Sequence, residues 1–280
     1  MKLVRYGMPG EERPGLIDEA GALRDLSSHV GTIDSKALRP EGLAALRALD
    51  PESLPEVRGN PRLGPCVGNV GKLLAIGLNY SDHAAETGMA LPEEPIVFSK
   101  ATSCISGPND PVQIPRGSRK TDWEVELGVV IGRTAKYITP AQALAHVAGY
   151  CVVNDVSERD FQTARSGQWI KGKSHDTFGP IGPWLVTADE VSDPQDLDMW
   201  LDVNGTRMQT GSTATMHFGV AEIIAHLSQF LTLHPGDVIA TGTPPGVGMG
   251  QKPPVFLREG DVMELSVEGL GVQQQTLVQA

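Results

Sequence analysis

The first hydrophobic pattern in the chain is short. Residues 2–6 (K-L-V-R-Y) read as a brief strand. Residues 15–18 and 22–26 read as two more strands around the acidic turn Asp18-Glu19-Ala20-Gly21. Leu43, Leu46 and Leu49 recur at helical spacing. A Pro- and Gly-rich stretch over residues 51–71 then reads as a linker. Apolar runs at residues 73–78, 125–131 and 149–153 predict buried strands, and residues 81–86 and 141–147 predict short helices. Residues 197–203 alternate and end on Asn204-Gly205, a hairpin signal. Residues 220–233 carry apolar positions at helical spacing and stop at His234-Pro235-Gly236. Late strands are predicted at 238–240 and 262–267. Many strands with few helices predict a β-rich α+β fold rather than a doubly wound sheet. The expected division is a small N-terminal module, residues 1–65, and a larger domain, residues 66–280.

Composition narrows the partners. The 280 residues carry a formal charge of −11, which argues against nucleic acid or an anionic membrane surface. The three cysteines, Cys66, Cys104 and Cys151, form no C-x-x-C pair and suggest neither a disulfide framework nor a zinc cluster. The first fifteen residues lack the apolar core of a signal peptide, and the uncharged stretch 137–154 is broken by Thr, Pro, Gln and His. A cytoplasmic protein acting on a small molecule is the expectation.

Candidate chemistry begins with Glu124-Val125-Glu126, followed by an apolar run. On a strand, residues two apart share a face, so both glutamates point one way. Asp155 closes the apolar run 151–153. Carboxylates beside such apolar strands repel one another or need a counter-ion. Three hard oxygen donors with no thiol nearby favour Mg²⁺, Mn²⁺ or Ca²⁺ over zinc. The same pattern also suits an edge strand whose glutamates face solvent.

His83 and Glu86 stand three residues apart, neighbours on one helix face. A carboxylate beside an imidazole fixes its tautomer and suits it to activate water. A surface ion pair is the plainer alternative. Lys173, in Gly172-Lys173-Ser174, is placed to hold developing negative charge, or is an ordinary solvated lysine. Thr241-Gly242-Thr243 follows an apolar run, and its amides and hydroxyls can hold a carboxylate. The glycines of residues 246–250 lack the G-K-[ST] ending of a phosphate loop, so nucleotide binding is excluded.

Five motifs in order resemble the fumarylacetoacetate hydrolase family, over residues 72–270. They are G-L-N-Y-x-x-H-x-x-E at residues 77–86, E-V-E-L-G-V-V-I-G at 124–132, N-D-V-S-E-R-D at 154–160, G-K-S at 172–174 and T-G-T-P-x-G-V-G at 241–248. The resemblance implies a mixed β-sandwich roll, often dimeric, so a homodimer is expected. It implies Glu124, Glu126 and Asp155 as metal ligands, His83 and Glu86 as a water-activating dyad, and Lys173 beside metal and substrate. Arg159, Gln162, Thr243 and Lys100 are implied substrate contacts. Tyr80, Thr241 and Gly242, within the same motifs, complete the candidate substrate set. The implied activity is hydrolysis of a carbon–carbon bond in a small anionic 2,4-diketo acid. The closest likeness is to the branch acting on 2,4-diketo-3-deoxy sugar acids such as rhamnonate or fuconate derivatives. Oxaloacetate decarboxylation, hydroxydienedioate isomerisation and ureidoglycolate lysis are the rival activities on this scaffold. A non-catalytic ligand-binding protein is a further alternative.

Overall fold

The structure, a computed structural model, describes residues 1–82 and 91–280. The chain opens with a meander of β1 (Lys2–Tyr6), β2 (Arg13–Ile17) and β3 (Leu23–Asp25), then the helix Pro40–Arg47. Strands β4 (Leu73–Gly77) and β5 (Ile96–Lys100) pair antiparallel. Short strands β6 (Ile105–Ser106), β7 (Val112–Ile114) and β8 (Thr121–Asp122) lead into β9 (Val125–Ile131). Next come β10 (Val147–Asn154), β11 (Ser157–Glu158), a π-helical segment Asp160–Ala164 and the one-turn helix Ile170–Lys173. The last part holds β12 (Gly179–Thr187), the hairpin β13 (Asp198–Val203) and β14 (Thr206–Ser212), and the helix Val220–Phe230. Strands β15 (Val238–Ala240), β16 (Val262–Val267) and β17 (Val272–Gln279) finish the chain.

These strands form two main sheets. The larger runs β3-β2-β1-β12-β10-β9-β15-β4-β5, with β6 beside β12; the smaller runs β14-β13-β16-β17-β7. Strands β8 and β11 pair separately. β9 and β10 lie central in the large sheet and are buried almost throughout, which explains their near-continuous apolar sequences. The small sheet shows the alternation of a one-sided strand. Met199, Leu201 and Val203 of β13, with Met263, Leu265 and Val267 of β16, turn into the shared core. Side chains of β17 join them: Gln273 Nε2 donates to the carbonyls of Val152 (2.8 Å) and Gly182 (3.0 Å), and Asn154 donates to Gln275 (3.0 Å). Buried amides in a core demand partners, and these tie one sheet to the other in register.

The β-rich α+β class holds, and several boundaries differ from expectation. The predicted helix at 141–147 is one α-turn, Pro140–Ala143, continued by a 3₁₀ turn, Leu144–His146. Pro140 and a Thr139–Gln142 capping box start it, but too few residues remain before β10 to extend it. The predicted linker, residues 51–71, is bound into the structure. Leu63 bridges Tyr6, Glu56 bridges Arg24, and Cys66 and Val67 lie in the core. The N-terminal strands extend the large sheet through β1 against β12 (Leu3 opposite Leu185). No helix among the described residues is long and apolar enough to cross a membrane.

Candidate active site

Three carboxylates converge because of strand register. In the antiparallel pairing of β9 and β10, Val125 faces Asn154 and Glu126 faces Val153. Continuing one step, the Asp155 amide donates to the Glu124 carbonyl (2.9 Å), which sets Asp155 opposite Glu124. Val125 and Leu127 turn the other way, into the core. One carboxylate oxygen from each of Glu124, Glu126 and Asp155 lies within 4.8 Å of the others. All three side chains are buried, Asp155 completely.

Cations meet this cluster unevenly. Lys173 Nζ lies 2.7 Å from Glu124 Oε2 and 2.7 Å from Asp155 Oδ2. Lys100 donates to Asp155 Oδ1 and to the Val156 carbonyl (3.2 Å). Arg159 Nη1 pairs with Glu124 Oε1 (2.7 Å), and its Nε donates to Asp122 Oδ2 (2.8 Å). Glu126 accepts from the Gly242 amide (2.8 Å) and has no cation partner among the described residues. Four linked carboxylates thus face three cations, and Glu126 is the carboxyl group left outside these ion pairs. Burial would raise the Glu124 carboxyl, yet Lys173 and Arg159 hold it down to about 2. For Glu126, burial and then the charges of Asp155 and Glu124 push the carboxyl well above its usual value. Lys173 shows the converse: burial works against its ammonium, but Asp155 and Glu124 raise it above the ordinary lysine value.

The donor set fits a hard divalent cation. Metal–oxygen bonds of about 2.0–2.6 Å allow ligand oxygens up to roughly 4–5 Å apart, and the three here lie within 4.8 Å of one another. The set contains neither thiol nor imidazole, and its unbalanced carboxylate calls for positive charge.

Backbone geometry positions these groups. Gly172, before Lys173, sits so close to the Glu158 carbonyl and the Gln162 amide that a Cβ would lie 2.4 Å from each. Only glycine permits that approach. Gly242 has φ +99°, a region that favours glycine, and this turns its amide onto Glu126.

A cavity of about 130 Å³ opens beside the cluster, lined by Glu124, Glu126, Lys173, Arg159, Gln162 and Thr243 on its polar side. Ile76, Leu78, Phe98, Trp169 and Met249 form its apolar side. Arg159 Nη2 is buried and lacks a partner among the described residues, so this cavity wall offers a donor.

Of the remaining candidates, Lys100, Thr241 and Tyr80 stand behind this lining. Lys100 is buried against Asp155, and Thr241 donates to the Leu127 carbonyl (2.9 Å). Tyr80 donates to Met199 Sδ (3.1 Å), and burial followed by the Glu126 charge raises its phenol. Thr243 lines the cavity while donating to the Val125 carbonyl (2.8 Å) and accepting from Gln209 (2.8 Å). Gln209 also accepts from the Val125 amide (3.0 Å) and donates to the Pro244 carbonyl (2.8 Å). His83 and Glu86 lie outside the described residues.

Asp122 is a further buried carboxylate at this site, unassigned from sequence. It accepts from Arg159, from the amides of Trp123 (2.8 Å) and Gly248 (2.7 Å) through Oδ1, and from Met249 (2.9 Å) through Oδ2. The alternation D-W-E-V-E, with acids at 122, 124 and 126, is the signal that marks it. Asp122→Asn is expected to lower unfolding stability by about 3 kcal/mol, because charged hydrogen bonds to Arg159 and two loop amides weaken together. Urea unfolding reads the change, and an unchanged midpoint would show that Arg159 is held by Glu124 alone.

The fumarylacetoacetate (FAA) hydrolase C-terminal family model matches residues 72–278, which include every described residue of this site. The chain belongs to the fumarylacetoacetate hydrolase family. A family relative in Burkholderia cenocepacia, named only as a hydrolase, is 63% identical over 277 residues, 99% of this chain and 98% of that one. Two solved structures frame the family's chemistry. The chain is 30% identical to maleylpyruvate hydrolase from Sphingobium sp. SYK-6, solved in complex with manganese(II) ion and pyruvate, with a TM-score of 0.83 and full coverage of both chains. It is 33% identical to 2-hydroxyhepta-2,4-diene-1,7-dioate isomerase from Mycobacterium marinum, with a TM-score of 0.76, covering 100% of this chain and 98% of that one. The scaffold is thus one shared by hydrolases and isomerases.

Proposed function

We propose that this protein is a divalent-metal-dependent hydrolase that cleaves the C3–C4 bond of an acylpyruvate-type 2,4-diketo acid. The products are pyruvate and a second small acid. The supporting observation is the buried carboxylate triad with its unbalanced Glu126 and the ammonium of Lys173 against it. Glu124, Glu126 and Asp155 would hold Mg²⁺ or Mn²⁺, with Ca²⁺ a further candidate. When bound, such an ion supplies Lewis-acid polarisation of the 2-keto and carboxylate oxygens.

The chain's own groups do the rest. His83, oriented by Glu86, takes a proton from water as the oxygen adds to C4. The C3–C4 bond then breaks, its electron pair passes to C3, and pyruvate leaves as its enolate. C4 departs as the carboxyl carbon of the second acid. Lys173 holds negative charge close to the carboxylates while the enolate forms. Arg159 Nη2, without a partner among the described residues, and the amide of Gln162 orient the substrate's polar groups from the cavity wall. A 2,4-diketo-3-deoxy-L-rhamnonate or -fuconate suits the cavity, since its acyl end is a small lactoyl group.

A second reading, isomerisation of a hydroxydienedioate, is favoured by the likeness to the Mycobacterium marinum isomerase. A panel of acylpyruvates, oxaloacetate, ureidoglycolate and a hydroxydienedioate separates the readings. Pyruvate release from acylpyruvates, abolished by EDTA and restored by Mg²⁺ or Mn²⁺, is the expected result. Turnover of the dienedioate alone, or turnover indifferent to EDTA, overturns the hydrolytic reading.

A further inference from the structure

Phe98 and Trp169 meet edge to face, with ring centroids 5.2 Å apart and planes inclined by 62°. Both line the carboxylate cavity of about 130 Å³. Both also line a second hollow of about 410 Å³, formed by residues 96–99 and 167–170 along the edge strand β5. The aromatic pair is therefore the partition between a small inner cavity and a larger outer one.

The partition is braced from two sides. A Cβ on Gly77 would lie 2.6 Å from Cζ3 of Trp169, so the indole packs against bare backbone at the end of β4. The Phe98 ring centre lies 5.2 Å from Lys173 Nζ, the ammonium that bridges Glu124 and Asp155. The wall therefore begins within one side chain's reach of the carboxylate cluster. On the inner side it continues with Ile76, Leu78 and Met249, all apolar. Neither ring is fully buried, and Phe98 also rests against the main core.

We propose that Trp169, braced by Phe98, limits the length of the acyl chain the site accepts, favouring substrates with a short, largely apolar acyl end. This rests on the reading of the carboxylate cluster as the anchor for a 2-oxo acid head. Opening the partition joins the inner cavity to the outer hollow and gives a longer chain somewhere to go. A methylene in an apolar pocket is worth about 10–200-fold in discrimination, so the effect is measurable.

The experiment compares the wild-type protein with Trp169→Leu and Phe98→Leu. Binding of straight-chain 2-oxo acids, from pyruvate to 2-oxooctanoate, is measured by calorimetry with saturating Mn²⁺. Straight-chain 2,4-diketo acids of matching acyl length are assayed for pyruvate release in parallel. The wild type is expected to lose affinity as the chain lengthens. Each variant is expected to improve the long-to-short affinity ratio by about tenfold or more. Should Trp169→Leu fail to fold, Phe98→Leu reads the same wall from its other face. A length profile shared by the wild type and the folded variants overturns the proposal, as does failure of the wild type to bind any 2-oxo acid. If the binding ratios shift but no diketo acid is cleaved, the wall stands and the hydrolytic reading alone fails.

Discussion

Glu126→Gln is expected to abolish metal binding while leaving the metal-free protein more stable than the wild type. Glu126 is the one member of the triad with no cation against it among the described residues, and burial and its neighbours disfavour its charge. Its carboxyl takes a proton more readily in the folded chain than in the unfolded one, so carrying the charge at neutral pH works against folding. Glutamine keeps an oxygen for the Gly242 amide and removes that charge. Without the third anionic ligand, hydrolysis should fall at least about 10³-fold, since several kcal/mol of charge stabilisation is lost at about 1.4 kcal/mol per tenfold. Mn²⁺ raises the melting temperature of a protein that binds it when folded. That rise should be present in the wild type and missing in the variant. Glu124→Gln is the contrasting control. Glu124 is paired with both Lys173 and Arg159, so its loss leaves each buried cation with one carboxylate, Asp155 or Asp122, and should lower the metal-free melting temperature. A Glu126→Gln protein that still responds to Mn²⁺ would remove the triad from consideration.

His83→Ala is expected to lower kcat about 10²–10⁴-fold, the usual cost of losing a general base. Affinity for Mn²⁺ and for pyruvate should hardly change. The support is local. Gly77 and Leu78 line the cavity, and the Asn79 side chain donates to the carbonyls of Thr241 (2.8 Å) and Phe218 (3.0 Å). The chain is therefore pinned at the cavity a few residues before His83. Because the imidazole is assigned to water activation alone, any metal-assisted enolisation or decarboxylation should survive its removal. Calorimetry with Mn²⁺ and pyruvate, alongside steady-state hydrolysis, separates the two roles. Near-normal hydrolysis by the variant would refute the dyad.

Much of the site could be read along the chain, because its groups fall at informative spacings. Glu124 and Glu126 show themselves by alternation, Lys173 follows the constrained Gly172, and Gly242 is itself a glycine that the backbone requires. The nearness of Asp155 could not be read this way, since it depends on which residue of β10 faces which residue of β9. Asp122 carries the same alternation but serves Arg159 instead, a partner 37 residues away. The fold follows the same division. Central strands such as β9 announce themselves by apolar runs, while β12 hides behind Pro180, Pro183 and two glycines. β17 hides behind glutamines whose burial makes sense only once Val152, Gly182 and Asn154 supply their partners. The Pro- and Gly-rich composition of residues 51–71 predicts a linker, yet Leu63 and Cys66 show it packed, because composition reports turns and not what the turns touch.

The Gln209 side chain carries a consequence of its own. It extends from β14, an edge strand of the small sheet, and fastens at once to Val125, between Glu124 and Glu126, and to the Thr243–Pro244 turn. A hairpin that lines none of the carboxylate cavity therefore holds the strand and turn that do. Sequence drift in that hairpin would be felt first as a loss of catalytic precision, before any loss of the fold.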